Sequence, residues 1–129
     1  MEIKVIRQLL MDITGVEGLL INRFSSETRN EVLFRLDGIE QTRNLFTSTV
    51  IFLSKANYPD IAEQPLKLVI ENGRRTNLFF NDNKYQLVLA EPLGFTAEFE
   101  EELDNGEFLY STSVLIKIFK LEDESHGNE

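Results

Sequence analysis

The side chains with the most potential for chemistry in this chain are carboxylates, and many of them lie in one stretch. This stretch precedes the last apolar segment of the sequence and contains Glu98, Glu100, Glu101, Glu102 and Asp104. Carboxylate oxygens are good calcium ligands, but a calcium-binding loop spaces its ligands around a central glycine that this stretch lacks. We therefore expect a solvated acidic loop over 94–104, with a weak divalent-cation site as the alternative.

Groups that could act as nucleophiles or bases are scarce elsewhere. The single histidine, His126, lies in a polar C-terminal tail, and the chain has no cysteine. Disulfides and thiolate chemistry are therefore excluded. Gly15 and Gly18 lack the Lys-Ser/Thr pair that completes a phosphate-binding loop. We expect no catalytic residues, no metal and no cofactor, and hence a protein that is not an enzyme.

The charge of the chain argues against nucleic acid as a partner. The net charge is −9, from 22 acidic and 13 basic residues, whereas proteins that bind nucleic acid gain most of their affinity from basic groups that contact phosphates. No apolar run approaches the ~18 residues of a membrane span, and the N-terminus does not resemble a signal peptide. We expect no specific nucleic-acid binding, no membrane contact and a cytoplasmic location.

Aromatic and basic residues outside the apolar pattern indicate a protein interface. Phe95 and Phe99 lie among the acidic residues, and aromatic side chains rimmed with charge are typical of contact surfaces. Arg74 and Arg75 follow a predicted helix, where they could bind an acidic neighbour or a phosphate, or merely complement the helix dipole. The candidate interface residues are therefore Arg74, Arg75, Phe95, Glu98, Phe99, Glu100 and Glu101.

Two helices are predicted to position these residues, over 2–12 and 60–72, from apolar residues at helical spacing. We expect Asp60 to cap the second helix, and Pro65 to interrupt it, so that the helix restarts with Pro65 in its first turn. Gly73 is the expected C-cap. Short strands are expected at 19–21 and 31–37, the latter ending at Gly38. The segment 39–46 could be a turn, a bulged extension of a strand or a short helix.

The longest strand is predicted at 107–119, after the turn signal Asn105-Gly106. One parity of this segment is almost entirely apolar or β-branched: Phe108, Tyr110, Thr112, Val114, Ile116 and Ile118. The strands at 47–55, 85–91 and 107–119 should share one sheet, with Phe52, Val114 and Ile116 buried. The predicted fold is α+β, a mainly antiparallel sheet with two helices packed on one face. It forms a single domain over 1–121, followed by a disordered acidic tail over 122–129.

The order of these elements is similar to the tail terminator (tail completion) proteins of long-tailed bacteriophages and prophages. The strand-to-helix unit 50–63 (VIFLSKANYPDIAE) and the turn with its long closing strand 103–116 (LDNGEFLYSTSVLI) resemble corresponding units of that family. One departure is that the family often has an arginine where Ser54 or Lys55 stands.

The resemblance implies a non-enzymatic ring, usually hexameric, that caps the tail tube and joins it to the head. Its partners would be further copies of the chain, tail tube proteins and head–tail connector proteins. It would be found in the host cytoplasm during assembly and then in the virion tail. A closed ring requires two unlike surfaces on each subunit, and the 98–104 segment and Arg74-Arg75 are candidates for them.

A second hypothesis is a small dimeric adaptor or regulatory protein. The first 21 residues, which include VEGLLI at 16–21, resemble the opening of the roadblock-type dimerisation fold. That fold requires a helix soon after the first hairpin, whereas 47–55 predicts a strand. A stable symmetric dimer in solution would favour the adaptor.

Overall fold

The computed structural model describes residues 1–121, which form two helices and seven strands. The predicted acidic tail, 122–129, and His126 within it lie outside the described residues. The helices are α1 (Ile3–Thr14) and α2 (Pro59–Asn72), and the strands are β1 (Leu20–Ile21), β2 (Glu31–Thr42), β3 (Leu45–Ala56), β4 (Arg75–Phe80), β5 (Tyr85–Pro92), β6 (Glu98–Glu102) and β7 (Phe108–Lys120).

The seven strands form one sheet organised around β7, in the order β1-β2-β3-β7-β5-β4. One edge of β7 pairs with β3 along its whole length. The other edge is shared, because β5 pairs with its C-terminal half and β6 with its N-terminal half. All pairs are antiparallel except the two-residue pair between β1 and β2. The predicted mainly antiparallel α+β fold is confirmed, including the common sheet of the three central predicted strands.

Both helices pack on the same face of this sheet. The core joins side chains of α1 and α2 to those of one parity in the central strands: Ile6, Leu10, Leu66, Val69, Phe52, Val50, Val114 and Ile116. Phe52, Val114 and Ile116 are fully buried, as predicted. α1 ends at Gly15, which has a φ of +80° and donates its N–H to the carbonyl of Met11, a conformation that glycine adopts without strain. Within 1–121 no helix covers the opposite face of the sheet.

The second helix corrects two predictions. α2 is continuous through Pro65 instead of restarting there, and Asp60 lies in its first turn while Tyr58 is the N-cap residue, with no side-chain capping bond. Pro59 at the first position supplies a φ suited to a helix start. Proline has no backbone N–H to donate to the preceding turn of the helix. Because Pro65 lies on a flank of α2 that lines an open cleft, the unpaired carbonyl does not face the packed core. Gly73 is the C-cap, as predicted.

The strand boundaries also differ from those predicted. β2 does not end at Gly38 but passes through it with a bulge between Asp37 and Glu40, and Gly38 takes a φ of +56°. Of the alternatives for 39–46, the structure has a bulged strand extension and a turn: this segment is the end of β2, a two-residue turn and the start of β3. The edge strand β4, which contains Phe79 and Phe80 and pairs with β5, has no counterpart among the predicted strands.

Candidate interaction surface

The predicted acidic loop is in part a strand. β6 takes up Glu98–Glu102 and pairs with the part of β7 that lies beyond the end of β5. The prediction failed because four of the five residues in β6 are glutamates, which give no apolar alternation and have low strand propensity. The segment forms a strand because it pairs with the N-terminal half of β7, which β5 leaves unpaired on that edge. All five residues of β6 are exposed at the edge of the sheet, where charged side chains discourage unwanted strand pairing.

The strand β6 separates the predicted interface residues onto two faces. Paired residues of antiparallel strands point to the same side of a sheet. Phe99 pairs with Tyr110 on the helix-covered face, and their rings meet edge to face with centroids 5.5 Å apart. Burial and then the carboxylate of Glu63 on α2 raise the pKa of Tyr110, which agrees with this placement.

The acidic members of the predicted set lie on the other face. Glu98 pairs with Ser111, and Glu101 pairs with Leu109. Glu100 accepts a hydrogen bond from the hydroxyl of Ser111. None of the acidic residues between 98 and 104 forms an ion pair with a basic side chain of residues 1–121. This part of the sheet edge therefore carries uncompensated negative charge.

The connection between β5 and β6 carries the most exposed aromatic side chain that the structure describes. Phe95 is 97% exposed, and Leu93 beside it is also exposed. Phe95 stands next to the flank of α2 formed by Glu63, Lys67, Ile70 and Glu71. Its exposure agrees with the expectation that it does not belong to the core of the subunit.

The predicted basic members of the interface lie apart from β6. Arg74 forms an ion pair with Glu91 of β5, with 3.0 Å between its Nη1 and the Oε1 of the glutamate. Arg75 is exposed at the start of β4. β5 and β4 lie along the C-terminal half of β7, whereas β6 lies along the N-terminal half. The structure therefore does not bring the arginines together with the acidic strand.

A buried charged cluster surrounds Lys55, and no pattern in the sequence predicts it. The Nζ of Lys55 lies 3.2 Å from Oε1 of Glu107 and 3.4 Å from Oε1 of Glu31, and it donates a 2.8 Å hydrogen bond to the carbonyl of Glu27. The ring of Phe24 lies 5.3 Å from the same ammonium. Glu107 is fully buried, although it lies only three residues after the acidic stretch 98–104. Since Lys55 and Glu107 are 52 positions apart, only the register between β3 and β7 brings them together.

Glu31 connects this cluster to the segment that precedes β2. Its Oε1 accepts a hydrogen bond from the backbone N–H of Ser25, and its Oε2 accepts one from Nε of Arg29. Burial alone would raise the pKa of Glu31, but the hydrogen bonds from Ser25, Arg29 and Lys55 outweigh it and hold the pKa below the ordinary value of 4.5. The carboxylate thus stays ionised and fixes the 25–31 segment to the sheet.

A cleft of about 630 Å³ opens beside this cluster. It lies between the turn at 15–18, the start of β2, the end of β3 and one flank of α2. Its apolar lining consists of Val16, Leu20, Val32, Ile61, Pro65 and Leu68. Four charged residues also line the cleft: Glu17, Arg29, Glu31 and Lys55. Glu31 is paired with both cations, whereas Glu17 forms no ion pair within residues 1–121. The cleft therefore suits an uncharged, apolar occupant better than an anion.

No three histidine or acidic side chains within residues 1–121 are grouped so that they could hold a metal ion. No helix in the described range is both long and apolar enough to cross a membrane.

Comparison with known proteins identifies no relative. Neither a protein-family model nor a curated protein matches the sequence.

Proposed function

We propose that this chain is a non-enzymatic structural subunit that associates with copies of itself into a ring, as tail terminators of long-tailed bacteriophages and prophages do. The ring would cap a tail tube and join it to a head, and a hexamer is the number that the resemblance implies. The observation that carries the proposal is the exposed segment around Phe95, an apolar side chain with no use in its own core. Such side chains are typical anchors of protein interfaces.

The charge of the sheet edge supports the same proposal. β6 carries four glutamates that find no basic partner within residues 1–121. Carboxylates that line the bore of a ring would repel the phosphates of DNA and allow it to pass without binding. A net charge of −9 favours this role over one in which the protein binds DNA.

The experiment that tests the proposal is sedimentation velocity of the full chain over a wide range of concentration, alone and with a tail tube protein. We expect monomers that convert to a single ring-sized species, visible as closed rings by negative-stain electron microscopy. A chain that remains monomeric under both conditions, at all concentrations, would contradict the proposal.

One observation keeps the dimeric adaptor as the second candidate function. The adaptor hypothesis requires a helix soon after the first hairpin. Although 47–55 lies in a strand, this is the second strand of the antiparallel hairpin of β2 and β3, and α2 begins directly after this hairpin, at Pro59. The same sedimentation experiment separates the two candidates, because an adaptor would give a symmetric dimer that does not grow with concentration.

A further inference from the structure

The two flanks of α2 differ in shape. Its core-facing side presents Ala62, Leu66 and Val69, which are fully buried. On one flank, next to Glu63 and Lys67, the exposed ring of Phe95 forms a protrusion. The other flank, with Ile61, Pro65 and Leu68, forms a wall of the 630 Å³ cleft. One subunit therefore carries an aromatic protrusion and an apolar cleft on opposite sides of the same helix.

The segment around Phe95 matches the cleft in its chemistry. Leu93-Gly94-Phe95-Thr96-Ala97 contains no charged residue, although acidic residues flank it on both sides. Most of the charge that lines the cleft is paired, because Glu31 forms ion pairs with both Arg29 and Lys55. Glu17 is the one charged lining residue without an ion pair within residues 1–121. Its volume lies within the range of ~300–1,000 Å³ that is usual for binding pockets. An aromatic ring and the backbone of its glycine neighbour fit into this space.

No residue of 1–121 fills the cleft. The subunit's own Phe95 lies on the far flank of α2. Leu121, the last residue that the structure describes, donates its N–H to the carbonyl of Lys84, at the end of β7 opposite to Lys55. The sequence after Leu121 includes four acids, which do not suit the apolar lining of the cleft: Glu122, Asp123, Glu124 and Glu129.

We propose that Phe95 of one subunit inserts into the cleft beside Leu68 of a second copy of this chain. The inference rests on the proposed ring and names the surface that forms it. Because the protrusion and the cleft are different surfaces, the contact is heterologous, and each subunit can use both at once. Repeated around an axis, such a contact gives a ring when the rotation between neighbouring subunits closes, as the proposed function requires. An aromatic anchor in a desolvated pocket is the usual centre of binding energy at an interface.

The test uses two variants of the full chain, Phe95→Ala, which lacks the protrusion, and Leu68→Arg, which obstructs the cleft. Leu68 is 39% exposed and Phe95 is 97% exposed, so both variants should keep the wild-type melting temperature. We expect each variant alone to remain monomeric, with the dissociation constant raised by about tenfold or more. An equimolar mixture of the two should form a dimer and nothing larger, because one intact pair of surfaces remains.

The controls apply the same chemistry to exposed positions outside this contact. Phe79→Ala, at the edge of β4, and Ile39→Arg, in the exposed end of β2, should assemble like the wild type, since both residues are exposed. Sedimentation velocity and mass photometry give the readout. If the wild type forms rings and both Phe95→Ala and Leu68→Arg still form them, this pairing is wrong while the proposed ring stands. If the variants fail separately but their mixture gives no dimer, the two surfaces do not meet. A wild type that never assembles contradicts both proposals.

Discussion

The ammonium group of Lys55 and the carboxylate of Glu107 form an ion pair with 3.2 Å between Nζ and Oε1, inside the protein. Lys55 belongs to β3, and Glu107 immediately precedes β7. Asn105 donates a second hydrogen bond to the same oxygen of Glu107, whereas its Oε2 has no partner within residues 1–121. Lys55 is therefore the main compensation for a buried negative charge, and its removal should be costly.

Replacement of Lys55 by Met should destabilise the protein by about 3–5 kcal/mol, because it leaves the buried carboxylate of Glu107 without a cation. Chemical denaturation at pH 7 measures the change. The matched control is Arg74→Met, which breaks an exposed ion pair with Glu91 and should cost less than about 1 kcal/mol. Equal losses in the two variants would contradict a special role for the buried pair.

Glu31 should make the stability of the protein depend on pH in the acidic range. Its pKa in the folded protein is held below 4.5, so the unfolded chain binds the proton more readily. The stabilisation is present above the unfolded pKa and is lost as the pH falls through the lower folded pKa. Glu31→Gln should lower stability at pH 7 and weaken its dependence on pH below about 5. Denaturation midpoints of both proteins, measured from pH 7 to pH 3, provide the test. A pH profile that the substitution leaves unchanged would contradict the prediction.

Two neighbouring residues of β7 should respond differently to truncation. Ile116 is fully buried against both helices, and Ile116→Ala should cost roughly 2–5 kcal/mol. Leu115 is half-buried on the helix-free face, and Leu115→Ala should cost clearly less because less apolar area is lost from contact. Thermal melting of the two variants provides the comparison. A larger loss at Leu115 would show that the helix-free face is covered in solution.

Gly73 should not tolerate a side chain, although its φ of −73° is ordinary. A Cβ at this position would clash with the carbonyl oxygen of Val69, which is backbone of α2. Gly73→Ala should therefore cost about 1–3 kcal/mol by displacing the end of the helix. Gly94→Ala is the control, because a Cβ there meets no atom closer than 3.8 Å. Calorimetry that finds no difference between the two variants would argue against the close contact.

The two aromatic residues next to the acidic strand should differ in their effect on the isolated subunit. Phe95→Ala should leave the melting temperature unchanged, since the side chain is almost fully exposed. Phe99→Ala should lower stability by about 0.5–1.5 kcal/mol through loss of the edge-to-face contact with Tyr110. Melting at a concentration below the onset of assembly measures both. A destabilised Phe95→Ala subunit would place that ring in the fold itself.

The parts of the fold that could be predicted are those in which side chains alternate. Val114, Ile116 and Ile118 recur at every second position, so β7 and its buried face follow from the sequence. β6 could not be found in this way, because its glutamates give no alternation and the free edge of β7 determines its state. Gly38 predicts a strand end because glycine is typical of turns, but glycine is equally suited to a β-bulge inside a strand, which is its place in the structure.

The candidate site was less predictable than the fold. The exposure of Phe95 followed from its charged neighbours, but the direction of Phe99 required the register with Tyr110. The cleft has no local signature at all, since four separate segments of the chain form it. Long-range register is also what places Glu107 beside Lys55. Each of these features depends on which strands become neighbours, and no short stretch of sequence contains that information.

The central position of β7 has a consequence for synthesis of the protein. The ribosome makes β3 before β7, so the hydrogen-bonding edge of β3 that β7 covers stays open until β7 has also been made. The contacts that close the sheet have high contact order, which slows folding. During that interval, nascent chains expose an apolar strand edge that can pair with another chain. Folding of the sheet should therefore wait for β7 and be sensitive to chaperones that shield such edges.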